Sequence, residues 1–138
     1  MTSSSANQQK SIRNWLTRAR KTWQDANTLY QHGGTYASVI DLAYYSMMYA
    51  ALASLETSGK IKFSDESRVI TLFDQKSIKQ NNFSKEMGKT LRYVYDLHLA
   101  NEREIYFAVD REQAIESLTS SAKFADVIEQ KLIEEKTI

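Results

Sequence analysis

The residues best suited to acid–base chemistry stand close together in the stretch LRYVYDLHLANER. His98 continues an apolar line of helical spacing, and Asn101 and Glu102 follow it three and four residues later, on the same helix face. A histidine can serve as a general base toward a ribose hydroxyl near neutral pH, and Glu102 would orient it. Arg92 or Arg103 could stabilise phosphate charge. The pattern is compatible with RNA cleavage, but a histidine on an apolar face is more often a hydrogen-bonded core residue.

Other kinds of catalytic site are poorly represented in the sequence. The chain has no cysteine, which excludes a thiol nucleophile, a disulfide and a thiolate metal site, and is compatible with the reducing cytoplasm. It has two histidines and no Glu-x-x-His pair of the kind that holds a metal between helices. Its glycine pair, Gly33-Gly34, stands at a predicted helix end and not in a phosphate-binding loop. We therefore expect no metal and no cofactor.

Charge gives only a local indication of a nucleic-acid partner. Eighteen Lys and Arg residues oppose seventeen Asp and Glu residues, so the formal net charge is +1 and no bulk charge attracts the chain to RNA or to a membrane. Basic residues nevertheless cluster between positions 76 and 92, where Lys85 and Lys89 could contact the phosphates of RNA. An ordinary solvated helix face is the alternative interpretation of this cluster.

The element expected to surround the candidate residues is the apolar stretch DLAYYSMMYAALASL. Its apolar residues lie all around a helix, which is typical of a helix enclosed by other helices. The run is shorter than the roughly 20 apolar residues that a membrane-spanning helix needs. Tyr44, Tyr45 and the two methionines could line a cofactor pocket, but large side chains at helical spacing usually pack a core. We predict a central core helix.

Helices before and after this stretch are predicted from apolar residues three and four positions apart. A first amphipathic helix begins near Ile12 and ends at Gly33-Gly34, and the central helix follows from about residue 36 to 57, ending at Gly59. After a polar loop, residues 68–79 are predicted to form a short third helix. A turn at residues 80–82 ends it.

Two longer helices complete the prediction. Ser84 is the expected N-cap of a fourth helix that runs to about Arg103. Asp110 and Gln113 have the spacing of a capping box and begin a fifth helix. The predicted buried face of that helix consists of Ala114, Ile115, Leu118, Ala122, Ala125 and Ile128.

These elements predict an all-α fold, an up-down helical bundle of about five helices, four of them long and one short. The chain has no proline, and no strand-like alternation competes with the helices. We expect a flexible polar tail at residues 1–10, the helical bundle at residues 11–133 and a frayed tail at residues 134–138. No apolar segment resembles a secretory signal, which together with the lack of cysteine suggests a cytoplasmic protein.

The order of the pieces resembles the HEPN domain family, whose name stands for higher eukaryotes and prokaryotes nucleotide-binding. The pieces are RARKTWQDANTLYQHGGTYASVI, the central stretch, RVITLFDQKSI and LRYVYDLHLANEREIYFAVDREQAIESLTSSAKFADVI. Within the central stretch, Ala43-Tyr44-Tyr45-Ser46 is similar to the small-Tyr-Tyr-small segment of the family's second helix. The resemblance covers residues 12–133 and implies a helical bundle in which Tyr44 and Tyr45 belong to the core.

Many members of this family are ribonucleases with an Arg, four to six further residues and a His near the end of the fourth helix. Aligned on Tyr106-Phe107-Ala108-Val109-Asp110, the position of that His falls near Glu104 and the position of that Arg near His98. Neither residue type matches. Arg92 and His98 have the literal spacing, but they lie about two turns too early and about 120° apart around a helix axis. The resemblance therefore implies a degraded ribonuclease motif.

Two functions follow from the resemblance. The preferred one is a dimeric binding module that works with a nucleotidyltransferase in a toxin–antitoxin or defence-type system. The alternative is a metal-independent endoribonuclease, an RNA toxin that acts across a homodimer interface with His98, Arg92 or Arg103, assisted by Asn101 and Glu102. The resemblance implies a homodimer through the fourth helix, with RNA as a further possible partner.

Overall fold

The computed structural model describes residues 6–58, 65–81, 83–103 and 108–138. Within these ranges the chain is helical and has no strand, which confirms the all-α bundle. The predicted end of the central helix at Gly59 and the position of Glu104 lie outside the described residues. The principal helices are α1 (Ala6–Gln31), α2 (Tyr36–Leu55), α3 (Glu66–Leu72), α4 (Lys85–Arg103) and α5 (Arg111–Glu134).

Helix α2 is the centre of the bundle and packs against each of the other four helices. Both of its methionines, Met47 and Met48, are completely buried, as the apolar pattern on all sides predicts. A buried hydrogen bond joins α2 to α1: the hydroxyl of Ser46 donates to the backbone carbonyl of Ala19 at 2.7 Å. None of the helices in the described part of the chain is long and apolar enough to cross a membrane.

The connection between α1 and α2 ends the first helix in the way that the glycine pair predicts. Gly33 has a φ of +80°, a left-handed conformation that costs glycine little because it lacks a Cβ. The backbone N–H of Gly34 donates to the carbonyl of Leu29 at 2.8 Å, which satisfies one of the last carbonyls of the helix. At its other end, α1 begins at Ala6, inside the segment predicted as a flexible tail.

Helix α3 continues into a π-helical turn (Phe73–Ile78) and a final α-helical turn (Lys79–Asn81). The prediction of one short helix at residues 68–79 holds in outline, but the π-helical turn was not predicted. It places both Phe73 and Ser77 in the core. There the hydroxyl of Ser77 lies 2.9 Å from that of Ser54 in α2, so two buried polar groups satisfy each other.

The start of α5 matches the predicted capping box. The carboxylate of Asp110 accepts from the N–H of Gln113 at 2.8 Å, and the side chain of Gln113 accepts from the N–H of Asp110 at 3.0 Å. One residue of the predicted buried face is wrong, because Ile115 is 40% exposed. The packed stripe of α5 runs through Ala114 and Leu118, and Ile115 stands beside it on the solvent side.

The last residues also make contacts that the sequence did not indicate. Lys136 adopts a left-handed conformation with φ of +58°. Its N–H donates to the carbonyl of Ile133, and the N–H of Thr137 donates to the carbonyl of Leu132, both at 2.9 Å. This pair of bonds is a Schellman motif, and it brings Ile138 against the hydrophobic core. The segment expected to be frayed is therefore held by backbone bonds.

Candidate functional site

The candidate histidine lies between two helices and is almost fully enclosed. His98 of α4 is 2% exposed. Its Nδ1 donates to Oδ1 of Asp41 in α2 at 2.9 Å. Its Nε2 lies 3.3 Å from Oε1 of Glu102, one helical turn further along α4. Both ring nitrogens of His98 therefore have a carboxylate oxygen within reach, an arrangement that favours the doubly protonated imidazolium.

Two tyrosines of α2 enclose the imidazole ring. The ring of Tyr44 stacks on that of His98 with centroids 4.4 Å apart, and Tyr45 meets it edge-on at 5.2 Å. The buried hydroxyl of Tyr44 donates to Oε1 of Glu66 in α3 at 2.5 Å. Burial, together with this hydrogen bond to Glu66, raises the pKa of Tyr44 far above its usual range. Tyr44 thus remains a neutral donor that connects the histidine to α3.

Opposing influences act on the pKa of His98. Burial is the largest single influence and lowers it, because the charged form loses its hydration. The hydrogen bond to Asp41 raises it, and the charges of Asp41, Glu102 and Glu66 raise it further. Together the raising influences outweigh burial, so the pKa of His98 lies above its ordinary value.

Asn101 completes the group that we call the histidine cluster: His98, Asp41, Asn101, Glu102 and Tyr44. The amide nitrogen of Asn101 donates to Oδ1 of Asp41 at 3.3 Å and to the carbonyl of Ala37 at 3.4 Å. His98, Asn101 and Glu102 thus lie together on one face of α4, as their spacing predicts. His98 and Asn101 bond to α2 of the same chain, and Glu102 contacts His98 within α4, so these contacts need no second protomer.

Comparison with known families assigns the whole bundle. Residues 12–131 match the model of the HEPN domain. The chain belongs to the HEPN domain family. None of the curated proteins compared with it matches. Membership of the HEPN family establishes the architecture and a class of nucleotide-binding or ribonuclease-type modules, but it does not by itself make an individual residue catalytic.

The two arginines proposed for this HEPN domain do not join the histidine cluster. Arg92 precedes His98 by six residues, which places it about 120° around the helix axis. Its guanidinium pairs with the carboxylate of Asp74 in the π-helical turn at 3.0 Å. Arg103 is exposed at the last position of α4, about 140° around the axis from His98. A phosphate held next to His98 would therefore lack an arginine of α4 on the same face.

The electrostatic surroundings of His98 also disfavour a phosphate. Three carboxylates, those of Asp41, Glu66 and Glu102, act on one imidazolium, so the site has a negative balance. Repulsion of a phosphodiester by such a site would oppose any catalytic benefit from the histidine. Among the described residues, no group of three or more potential ligands is arranged to hold a metal ion that could reverse this balance.

The lysines proposed as phosphate contacts lie elsewhere on α4. Lys85 and Lys89 line a groove between α4 and the π-helical turn, together with Lys79 and Arg92. Lys89 is also 3.6 Å from the carboxylate of Glu86, a solvent-exposed pair of little energetic weight. This groove and the histidine cluster have no residue in common.

Asp41, whose carboxylate makes the shortest hydrogen bond with His98, was not among the predicted site residues. A signal for it exists, since Asp41 is the single charged residue in the otherwise apolar helix α2. A carboxylate in that position needs a partner when the helix packs. Glu66 was missed as well, and its role depends on a contact between α3 and Tyr44 that local spacing does not encode.

Proposed function

We propose that this HEPN domain protein is a binding module, noncatalytic toward RNA, that dimerises and works with a nucleotidyltransferase in a toxin–antitoxin or defence-type system. The environment of His98 is the observation that supports the proposal that the protein does not cleave RNA. A general base needs an accessible lone pair on a ring nitrogen. At 2% exposure, with a carboxylate near each nitrogen, His98 offers none.

Family membership supports the rest of the proposal. A domain that retains the HEPN architecture while its only histidine on α4 serves packing fits a role in association more readily than a role in cleavage. The dimer remains a proposal that needs its own test, because the polar residues of α4 that first suggested it are bonded within the chain.

The first test is cleavage of a mixed RNA pool by the purified protein in EDTA. We expect no cleavage above that of a mock preparation, and the same result for His98→Gln, because no lone pair of His98 is free. The matched variant is Arg92→Gln with Arg103→Gln, which leaves the histidine cluster intact. Metal-independent cleavage that disappears in these variants, with 2′,3′-cyclic phosphate ends, would establish the endoribonuclease alternative instead.

The second test concerns association. Light scattering at micromolar concentration should give the mass of a dimer. Co-expression with a minimal nucleotidyltransferase of the same source should yield a complex that survives size-exclusion chromatography. A monomer in light scattering would contradict the proposed dimer. Separate elution of the two proteins in size-exclusion chromatography would contradict the proposed partnership.

A further inference from the structure

A cleft of about 380 Å³ opens between the first turns of α4 and the middle and end of α5. We call it the α4–α5 cleft. Both helices pack mainly on α2 and make few direct contacts with each other, so their facing sides stay open to solvent. The volume is within the range of small-ligand sites. The cleft has no residue in common with the histidine cluster or with the groove at the π-helical turn.

The floor of the α4–α5 cleft is apolar and held in place from below. Phe83, which precedes α4, and Phe124 of α5 are buried in it. Both rings contact the completely buried ring of Phe73, with centroid distances of 6.1 and 5.2 Å. Met87 is half-buried beside them, and Val127 is 37% exposed. Apolar surface is therefore left uncovered here, and a ligand that removes it from water gains free energy.

Two lysines of α5 flank this apolar floor. Lys123, Val127 and Lys131 follow one another at four-residue steps, so they stand on successive turns of the helix. The ammonium of Lys131 lies 5.9 Å from the centroid of the Phe83 ring. Among the described residues, neither lysine has an ion-pair partner. The other charged residue of the lining, Glu86, is within ion-pair distance of a lysine outside the cleft. The balance of charge at the rim is positive and suits an anion.

The dimensions of the cleft favour a narrow chain over a partner helix. One turn of α-helix, about 10 Å wide and 5.4 Å long, encloses roughly 420 Å³, which is more than the whole cleft. An extended peptide would bring a backbone donor and acceptor with every residue, and an apolar floor would leave them unpaired. A hydrocarbon chain has no such groups. An anionic end on that chain would match the lysines at the rim.

We propose that the α4–α5 cleft binds a medium-chain fatty acid as its carboxylate. The acyl chain lies over Phe83, Phe124 and Val127, and the carboxylate pairs with Lys123 or Lys131. In this arrangement the chain supplies most of the affinity, and the lysines select an anionic ligand over a neutral one. The inference goes beyond the proposed function and is independent of the dimer and of the partner.

The test is NMR titration of the isotope-labelled full chain with octanoate, with octanol and with butyrate. We expect octanoate to bind and to shift the amide signals of residues that line the cleft. Octanol should bind about fivefold more weakly or less, because it lacks the charge, and butyrate more than about tenfold more weakly, because its chain is shorter.

The lysines are tested by the double variant Lys123→Gln with Lys131→Gln. It should weaken the binding of octanoate about fivefold or more and leave the binding of octanol unchanged. The matched control is Lys10→Gln with Lys21→Gln, which removes the same charge from exposed positions of α1. Equal weakening by the two double variants would show nonspecific charge attraction and overturn the proposal.

The apolar floor is tested by Val127→Gln, which should weaken the binding of octanoate about threefold or more. Ile133→Gln is its matched control, because it removes an exposed aliphatic side chain of the same helix outside the cleft. Equal weakening by these two variants, or octanoate shifts elsewhere on the chain, would overturn the assignment of the site. Cosedimentation with phosphatidylglycerol vesicles without binding of octanoate would overturn it in favour of a membrane surface. Circular dichroism of every variant checks that a loss of binding is not a loss of folding.

Discussion

At the residue scale, the environment of His98 links its protonation to the stability of the fold. The pKa of His98 is raised in the folded protein above its unfolded value of about 6.5, so protonation favours folding. This contribution is fully present below pH 6.5 and is lost as the pH rises through the folded pKa. The fold loses this contribution because, in the neutral ring, one nitrogen presents a lone pair to a carboxylate and the two repel each other.

We therefore expect the free energy of unfolding to fall more steeply above pH 6.5 for the natural protein than for His98→Gln. Urea denaturation at several pH values gives this comparison, and NMR titration of the ring gives the pKa directly. Asp41→Asn should lower the pKa of His98, because Asp41 supplies the leading favourable interaction. Identical pH dependence of the natural protein and His98→Gln would contradict a charged histidine in the folded state.

At the element scale, the capping box at the start of α5 gives a second prediction. Asp110 accepts from the N–H of Gln113, and this bond satisfies a backbone donor that the helix leaves unpaired. Asp110→Ala should lower the free energy of unfolding by about 1 kcal/mol, as measured by urea denaturation. Asp110→Asn keeps the acceptor and is the matched control, with an expected loss of a few tenths of that value. Equal losses in the two variants would mean that the cap bond is not the cause.

The helices themselves were largely predictable because their signals are local. The glycine pair, the capping box and the apolar periodicity each act within a few residues, and the structure places α1, α2, α4 and α5 accordingly. Local spacing also grouped His98, Asn101 and Glu102. It could not supply Asp41, because that contact depends on how α4 packs against α2. The π-helical turn was missed for the same reason, since it is stabilised by burial of Phe73 and Ser77 against other helices.

At the scale of the whole molecule, the central position of α2 predicts that all the helices unfold together. Surface ion pairs between α1 and α5 contribute little to the stability of the bundle. The guanidinium of Arg20 in α1 pairs with Asp126 and Glu129 of α5, and all three groups are partly exposed to solvent. Such pairs contribute at most about 1 kcal/mol. The core around α2 is shared by every other helix, so no helix can keep its packing once α2 has lost it.

Met48→Ala tests this dependence, because Met48 is completely buried in α2. The cavity should lower the free energy of unfolding by about 2–5 kcal/mol, against at most about 1 kcal/mol for Arg20→Gln. Both tryptophans, Trp15 and Trp23, lie in α1, whereas circular dichroism reports on all helices. If α2 couples the bundle, the fluorescence and circular dichroism transitions in urea will coincide in the natural protein and in both variants. A fluorescence transition at lower urea than the loss of helix would show instead that α1 detaches from a core that α2 keeps intact without it.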